Sequence, residues 1–150
     1  MARTLSFDTG VVEYEINGAA TVRFNPTDSD FVDRLYQTFT DLDARQDEFR
    51  AHVAEIEGDG DALFAYARDR DHEMRGSIDA LLGEGVADAL FPDMNCYDMA
   101  DGLPVWINLM LAIAEEIERA YATEQKRSDP RLRSYNKKYE TMLKKYKGQW

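Results

Sequence analysis

The hydrophobic pattern changes period along the chain, and each change predicts an element. Val12, Tyr14 and Ile16 alternate with Glu13 and Glu15, the two-residue period of a half-buried strand. Asn17-Gly18 follows, a strong hairpin signal because both positions favour positive φ. Ala19 to Phe24 returns, with Val22 and Phe24 on one face and Arg23 on the other, until Asn25-Pro26 stops the strand. The expected element is a β-hairpin over residues 11–24.

The period then becomes helical. Thr27 or Asp28 is placed to cap, and Thr27 to Asp30 resembles a capping box with Asp in place of Glu. Phe31, Leu35, Phe39, Leu42, Phe49, Val53 and Ile56 recur at spacings of three, four or seven. They predict one apolar stripe along about eight turns, ending near Glu57 before Gly58-Asp59-Gly60. A second helix is predicted from Asp61 to Leu82, with Leu63, Phe64, Ala67, Met74, Ile78, Leu81 and Leu82 as its stripe. Its segment Asp69 to Arg75 is almost wholly polar, which predicts an exposed middle or a frayed turn. Val86 to Phe91 reads as one short helix stopped by Pro92, and Asp93 to Gly102 as the longest irregular stretch.

A third helix is predicted from Val105 to Tyr121, with Asp101 as cap and Pro104 near the first turn, where a missing N–H costs nothing. Trp106, Leu109, Met110, Ile113, Ile117 and Tyr121 form the expected buried face, and Glu115, Glu116 and Glu118 face water. Ser128-Asp129-Pro130 then resets the chain into a final helix capped by Ser128. Tyr135, Tyr139, Met142 and Tyr146 fall on one side of it, with lysines spread around. The expected architecture is α+β, mostly α: an N-terminal hairpin, three main helices, and a basic C-terminal helix or arm. It divides into an acidic domain, residues 1–124, with its helical part at 27–124, and a basic tyrosine-rich segment, residues 125–150.

Charge sharpens that division. Residues 1–124 hold 27 Asp or Glu against 9 Arg and no Lys, while residues 125–150 hold 6 Lys and 3 Arg against two carboxylates, within a net charge of −11 for the 150-residue chain. Such asymmetry speaks of partners and solubility rather than of fold. The single cysteine, Cys96, excludes an internal disulfide framework. The N-terminal MARTLSFDTG predicts no signal peptide, and the apolar run Leu103 to Ile113 is too short to span a bilayer. The sequence therefore reads as soluble and intracellular.

Candidate chemistry is sparse. Gly58-Asp59-Gly60-Asp61 lacks the ligand alternation and closing Glu of a calcium loop, so it reads as a helix-breaking turn. His72-Glu73 begins like a zinc-protease motif, but Gly76 stands where the second His belongs. His52 reads as a partly exposed structural histidine and Cys96 as a small buried apolar residue. No cofactor, metal site or catalytic residue is expected, and the chain reads as a non-enzyme.

The basic segment is the one constellation with promise. Its cations and aromatics are suited to phosphates and bases, although the acidic body repels an approaching polyanion. It is equally suited to docking on the acidic body of its own chain or a neighbouring copy, to folding on a protein partner, or to remaining a solvated tail.

VEYEINGAATVRFNPTDSDFVDRL at Val12–Leu35, MADGLPVWINLMLAIAEEIERAY at Met99–Tyr121 and SDPRLRSYNKKY near the C-terminus resemble small proteins encoded in the tail gene cluster of long-tailed bacteriophages and prophages of Firmicutes. These segments bracket most of the chain, with about residues 45–90 the part where the resemblance is weakest. The resemblance implies a tail assembly chaperone: a protein of the infected or lysogenic host's cytoplasm that binds the tape-measure or tail-tube protein. Self-association is a further expectation, no membrane partner is expected, and the acidic body disfavours nucleic acid as a partner. It carries no catalytic motif. The contact residues it suggests are Phe31, Leu35 and Phe39 on the long stripe, and Tyr135, Lys137, Lys138, Tyr139, Lys144, Lys145, Tyr146 and Trp150 in the tail. Two other expectations compete: an acidic nucleic-acid mimic that inhibits a host defence system, and a minor structural tail or connector protein.

Overall fold

The computed structural model describes the backbone of residues 1–147; beyond residue 128 it describes the side chains of Pro130, Ser134, Lys137, Thr141, Met142, Lys144 and Lys145. Strands β1 (Val12–Ile16) and β2 (Ala20–Phe24) form the predicted antiparallel hairpin, with Tyr14 opposite Val22 and Val12 opposite Phe24. Asn17 and Gly18 both take positive φ, and Ala19 N–H donates to the Ile16 carbonyl at 3.0 Å. Ala19 is thereby drawn into the turn, so β2 starts one residue later than the pattern suggests. The inner face carries Tyr14, Ile16, Val22 and Phe24, and the glutamates face out.

Helix α1 (Ser29–Glu55) follows. Asp28 is its cap and accepts from Asp30 N–H at 3.0 Å. Thr27 turns away and donates to Asn25 instead. Helix α2 (Gly60–Leu82) is capped by Asp59, which accepts from Ala62 N–H. The Gly58–Asp61 turn thus spends its first carboxylate on the helix end. Helix α3 (Val86–Leu90) is the short helix expected before Pro92.

Three expectations fail between Asp69 and Tyr121. First, the polar middle of α2 is helical and only partly exposed: Asp69 and His72 face solvent, but Arg70, Asp71 and Arg75 have side chains only 15–19% accessible, and Met74 between them is buried. Asp71 and Arg75 meet partners brought in by α3 and the chain after it, and Arg70 meets Glu73 of its own helix. Second, the stretch read as irregular contains a two-stranded hairpin, β3 (Met99–Ala100) with β4 (Leu103–Pro104). Asp101 and Gly102 take φ values of 55° and 81°, the conformation of a tight two-residue turn. Asp101 is therefore a turn residue and not a cap. The first donors of the next helix are met instead by backbone: Val105 N–H by the Asp98 carbonyl and Trp106 N–H by the Cys96 carbonyl. Third, Tyr121 is 41% exposed instead of buried, and Glu116 is half-buried instead of solvated.

Helix α4 (Val105–Lys147) is continuous over 43 residues with Pro130 inside it, so the predicted break at Ser128 does not occur. Proline removes one backbone bond, but it is flanked by Glu124 to Arg127 and Arg131-Leu132, residues that favour helix. Ser128 does not cap; its hydroxyl donates back to the Gln125 carbonyl at 3.0 Å.

The core joins all the main elements. Val22 and Phe24, then Phe31, Leu35 and Leu42, then Met74, Ile78 and Leu81 meet Trp106, Leu109, Met110, Ile113 and Ile117 of α4. Stacked rings tie the hairpin to α1: Tyr14 on Phe24 at 4.6 Å and Phe24 on Phe31 at 4.3 Å between centroids. Phe39 packs on Trp106 at 5.8 Å and ties α1 to α4. Burial of this many large apolar side chains, at about 1.5–3 kcal/mol each, is the main force that holds the body together.

Candidate functional site

The chemistry-bearing side chains form one polar junction, and its members are bonded to each other. Asp71 accepts from Cys96 N–H at 2.7 Å and from Arg75 Nε at 2.9 Å. Arg75 also donates to Asp88 at 3.0 Å and to the carbonyls of Phe91 and Met94 at 2.7 and 2.6 Å. Burial pulls its pKa down, but the bonds to Asp71 and Asp88 outweigh it, so the net shift is upward. Burial, reinforced by Asp71, pushes the Cys96 thiol up to about 12. A thiol held protonated in this way is a poor nucleophile. The junction fixes the loop after α3 against α2, and through Cys96 and Asp98 it seats the start of α4.

An open cleft of about 720 Å³ lies beside this junction, between Arg68, His72 and Pro92. Of its charged walls, Asp71, Arg75 and Asp88 are paired through Arg75, while Arg68 and Asp93 have no ion pair among the described residues. Nearby, Arg45 and Arg70 flank Glu73, and Phe49 stacks on Tyr66 and Tyr97 at 5.4 and 5.5 Å. His52 leans on Tyr66 at 4.2 Å as a partly exposed packing residue. A smaller groove of about 240 Å³ runs between Tyr14 and Ile16 of β1 and Leu109 and Ile113 of α4. At its end the Tyr14 hydroxyl donates to Glu116 at 3.1 Å, and Glu116 also pairs with Arg119. Burial first, then the Glu116 charge, pushes the Tyr14 hydroxyl up to about 12. Among the described residues no group of three or more His, Cys, Asp or Glu is placed to hold a metal ion.

What the body leaves uncovered is the second half of α4. Ile117 is the last residue of the helix in the core. From Tyr121 onward the described side chains are exposed, apart from a half-buried Ser128. At 1.5 Å per residue, Ala122 to Lys147 is roughly 40 Å of helix; Thr123, Glu124 and Arg127 in its first turns still line a cleft with residues 8–12 and 25–27 of the body, and the rest continues beyond it. Two contacts set its direction. Trp106 meets Phe39 in mid-α1, and the Tyr121 hydroxyl donates to the Thr27 carbonyl, just before α1 begins, at 3.1 Å. So α4 runs antiparallel to α1, passes its N-terminal end, and continues away.

The predicted contact residues divide accordingly. Phe31 and Leu35 are 2% and 7% exposed and belong to the core, so they offer no outer surface. Phe39 is half-buried against Trp106. This stripe is the inner face of α1, covered by the hairpin and α4. Lys137, Lys144 and Lys145 are exposed on the extension. Tyr135, Lys138, Tyr139 and Tyr146 lie in the same helix, with side chains outside the described part, and Trp150 lies outside the described residues. Sequence reasoning missed the exposed Tyr36, Phe64, Met99 and Met142 as surface apolar residues. Phe64, which the pattern placed in the stripe of α2, is 65% exposed, and Tyr36 beside buried Leu35 is offset from the stripe of α1. No described helix is long and apolar enough to cross a membrane. Comparison with known proteins finds no matching family model, no matching curated protein and no matching solved structure.

Proposed function

We propose that this protein is a non-enzymatic binding protein that acts as a bacteriophage tail assembly chaperone in the host cytoplasm. Its client is the tape-measure protein, or the tail-tube subunit recruited with it. The observation that carries the reading is the exposed extension of α4, a helix that leaves its own core while still presenting lysines and Met142 at 50% exposure. A tape-measure protein is long and helical, and a helix laid along another helix's apolar face is a standard mode of polypeptide recognition. The acidic body, with 27 carboxylates in its first 124 residues, supports solubility of the complex by mutual repulsion. The phage assignment itself is supported by the resemblance of the three sequence segments.

The test is co-expression with the tape-measure protein encoded beside it. Wild-type protein is expected to raise the soluble fraction of the client and to co-elute with it in size exclusion. The full-length variant K137E/K144E/K145E is expected to lose most of that effect. Unchanged client solubility with no co-elution would show the reading to be wrong.

A further inference from the structure

We infer that the basic extension of α4 docks on the acidic outer face of α1 of a second copy of this chain, giving a salt-sensitive self-association. The inference starts from two exposed arrays of opposite charge that have no ion pairs among the described residues. On α1, Asp33, Asp41, Asp43 and Glu48 are exposed, and none has a cation within 4.0 Å among the described residues. On the extension, Lys137, Lys144 and Lys145 are exposed, with no carboxylate within that distance among the described residues.

The two arrays cannot meet within one chain. Helix α4 runs antiparallel to α1, is fixed near its start by Tyr121 on Thr27, and continues unbroken to Lys147. The extension therefore moves away from α1 as it lengthens. An extension pairing with another extension is disfavoured, because each carries 9 Lys or Arg against 2 carboxylates over residues 125–150. The acidic body of another copy has the complementary sign. The lengths also fit: α1 is 27 residues, and the extension is a similar length, so each is roughly 40 Å.

The surfaces suit a helix pair. Two heptad series run through the extension, Tyr121, Ser128, Tyr135 and Met142, and Leu132, Tyr139 and Tyr146, the repeat of a helix seam. The outer face of α1 offers Ala44, Ala51 and Ala54, all exposed, whose small side chains let a helix approach closely. Exchange of extensions between two copies closes as a two-fold dimer. The inference rests on the exposed extension and not on the identity of the client, so protein that self-associates but rescues no client sinks only the functional reading.

Sedimentation velocity of the full chain tests it. At about 0.1 M salt the expected species has about twice the 17.2 kDa chain mass. At about 1 M salt, where the Debye length drops to about 3 Å, it is expected to fall to the single-chain mass. Full-length K137E/K144E/K145E is expected to lose the dimer at both salts. Mixing it with D33K/D41K/E48K is expected to restore a pair. A wild-type chain that is monomeric at low salt, a dimer that ignores salt, or a dimer that survives in K137E/K144E/K145E would each overturn the inference. So would a monomeric chain whose extension retards a duplex oligonucleotide, since the complement would then be a polyanion.

Discussion

At the scale of single residues, Asp71 does the most to join segments distant in sequence. One oxygen holds Cys96 N–H and the other holds Arg75, which in turn binds the Phe91 and Met94 carbonyls. Asp71→Ala removes an acceptor from a mostly buried guanidinium and leaves a buried N–H unmet. Arg75 keeps Asp88 and two carbonyls, so the main cost is the unmet Cys96 N–H and one lost charge-assisted bond, about 2–3 kcal/mol. Urea denaturation is expected to show that loss as a lower midpoint at unchanged slope. A loss below about 1 kcal/mol, the range of an exposed ion pair, would mean that the junction contributes little. In the cleft wall Asp71, Arg75 and Asp88 are bonded to one another, while Arg68 and Asp93 also line the cleft and have no ion pair among the described residues.

At the scale of elements, α4 carries both packing and display. Its first part is held by Trp106, Met110, Ile113 and Ile117, while the part beyond Tyr121 stands clear. Pro130 lies inside that second part without breaking it, and an interior proline costs a helix about 3 kcal/mol, which favours fraying of the turns around it. Pro130→Ala is therefore expected to raise the far-ultraviolet helical signal. Because Pro130 and the described side chains beyond it are exposed, the stability of the body at about 1 M salt is expected to change by less than about 0.5 kcal/mol. A comparable shift in both would show that the extension and body fold as one unit.

The elements also show what a sequence can reveal. The first hairpin was legible because Asn17-Gly18 sits between strands long enough to alternate. Asp101-Gly102 carries the same turn chemistry, but its strands are two residues each, too short for a period, so the nearby helix claimed Asp101 as a cap. The stripe from Phe31 to Ile56 announced a buried face correctly, yet periodicity does not say what covers it. Polar residues 69–75 suggested solvent because their partners, Asp88, Phe91, Met94 and Cys96, are distant in sequence and meet them only in the folded chain. At Pro130 the local breaker signal was outweighed by good helix formers on both sides. Of the candidate contact residues, Lys137, Lys144 and Lys145 were legible as exposed from charge alone, whereas Phe31 and Leu35 belonged to the core.

At the scale of the whole molecule, charge and packing are segregated along the same axis. The acidic body contains the apolar core, and the basic extension projects from it without returning. In the proposed reading that projection is the working surface, and the body provides solubility and a rigid base. The most direct measurement is site-specific photo-crosslinking in cells that co-express the tape-measure protein. A photo-reactive residue at Met142, on the extension, is compared with one at Tyr36, exposed on the outer side of α1. The account predicts a covalent adduct with the tape-measure protein from position 142. Adducts to that client only from position 36, with none from 142, would contradict it.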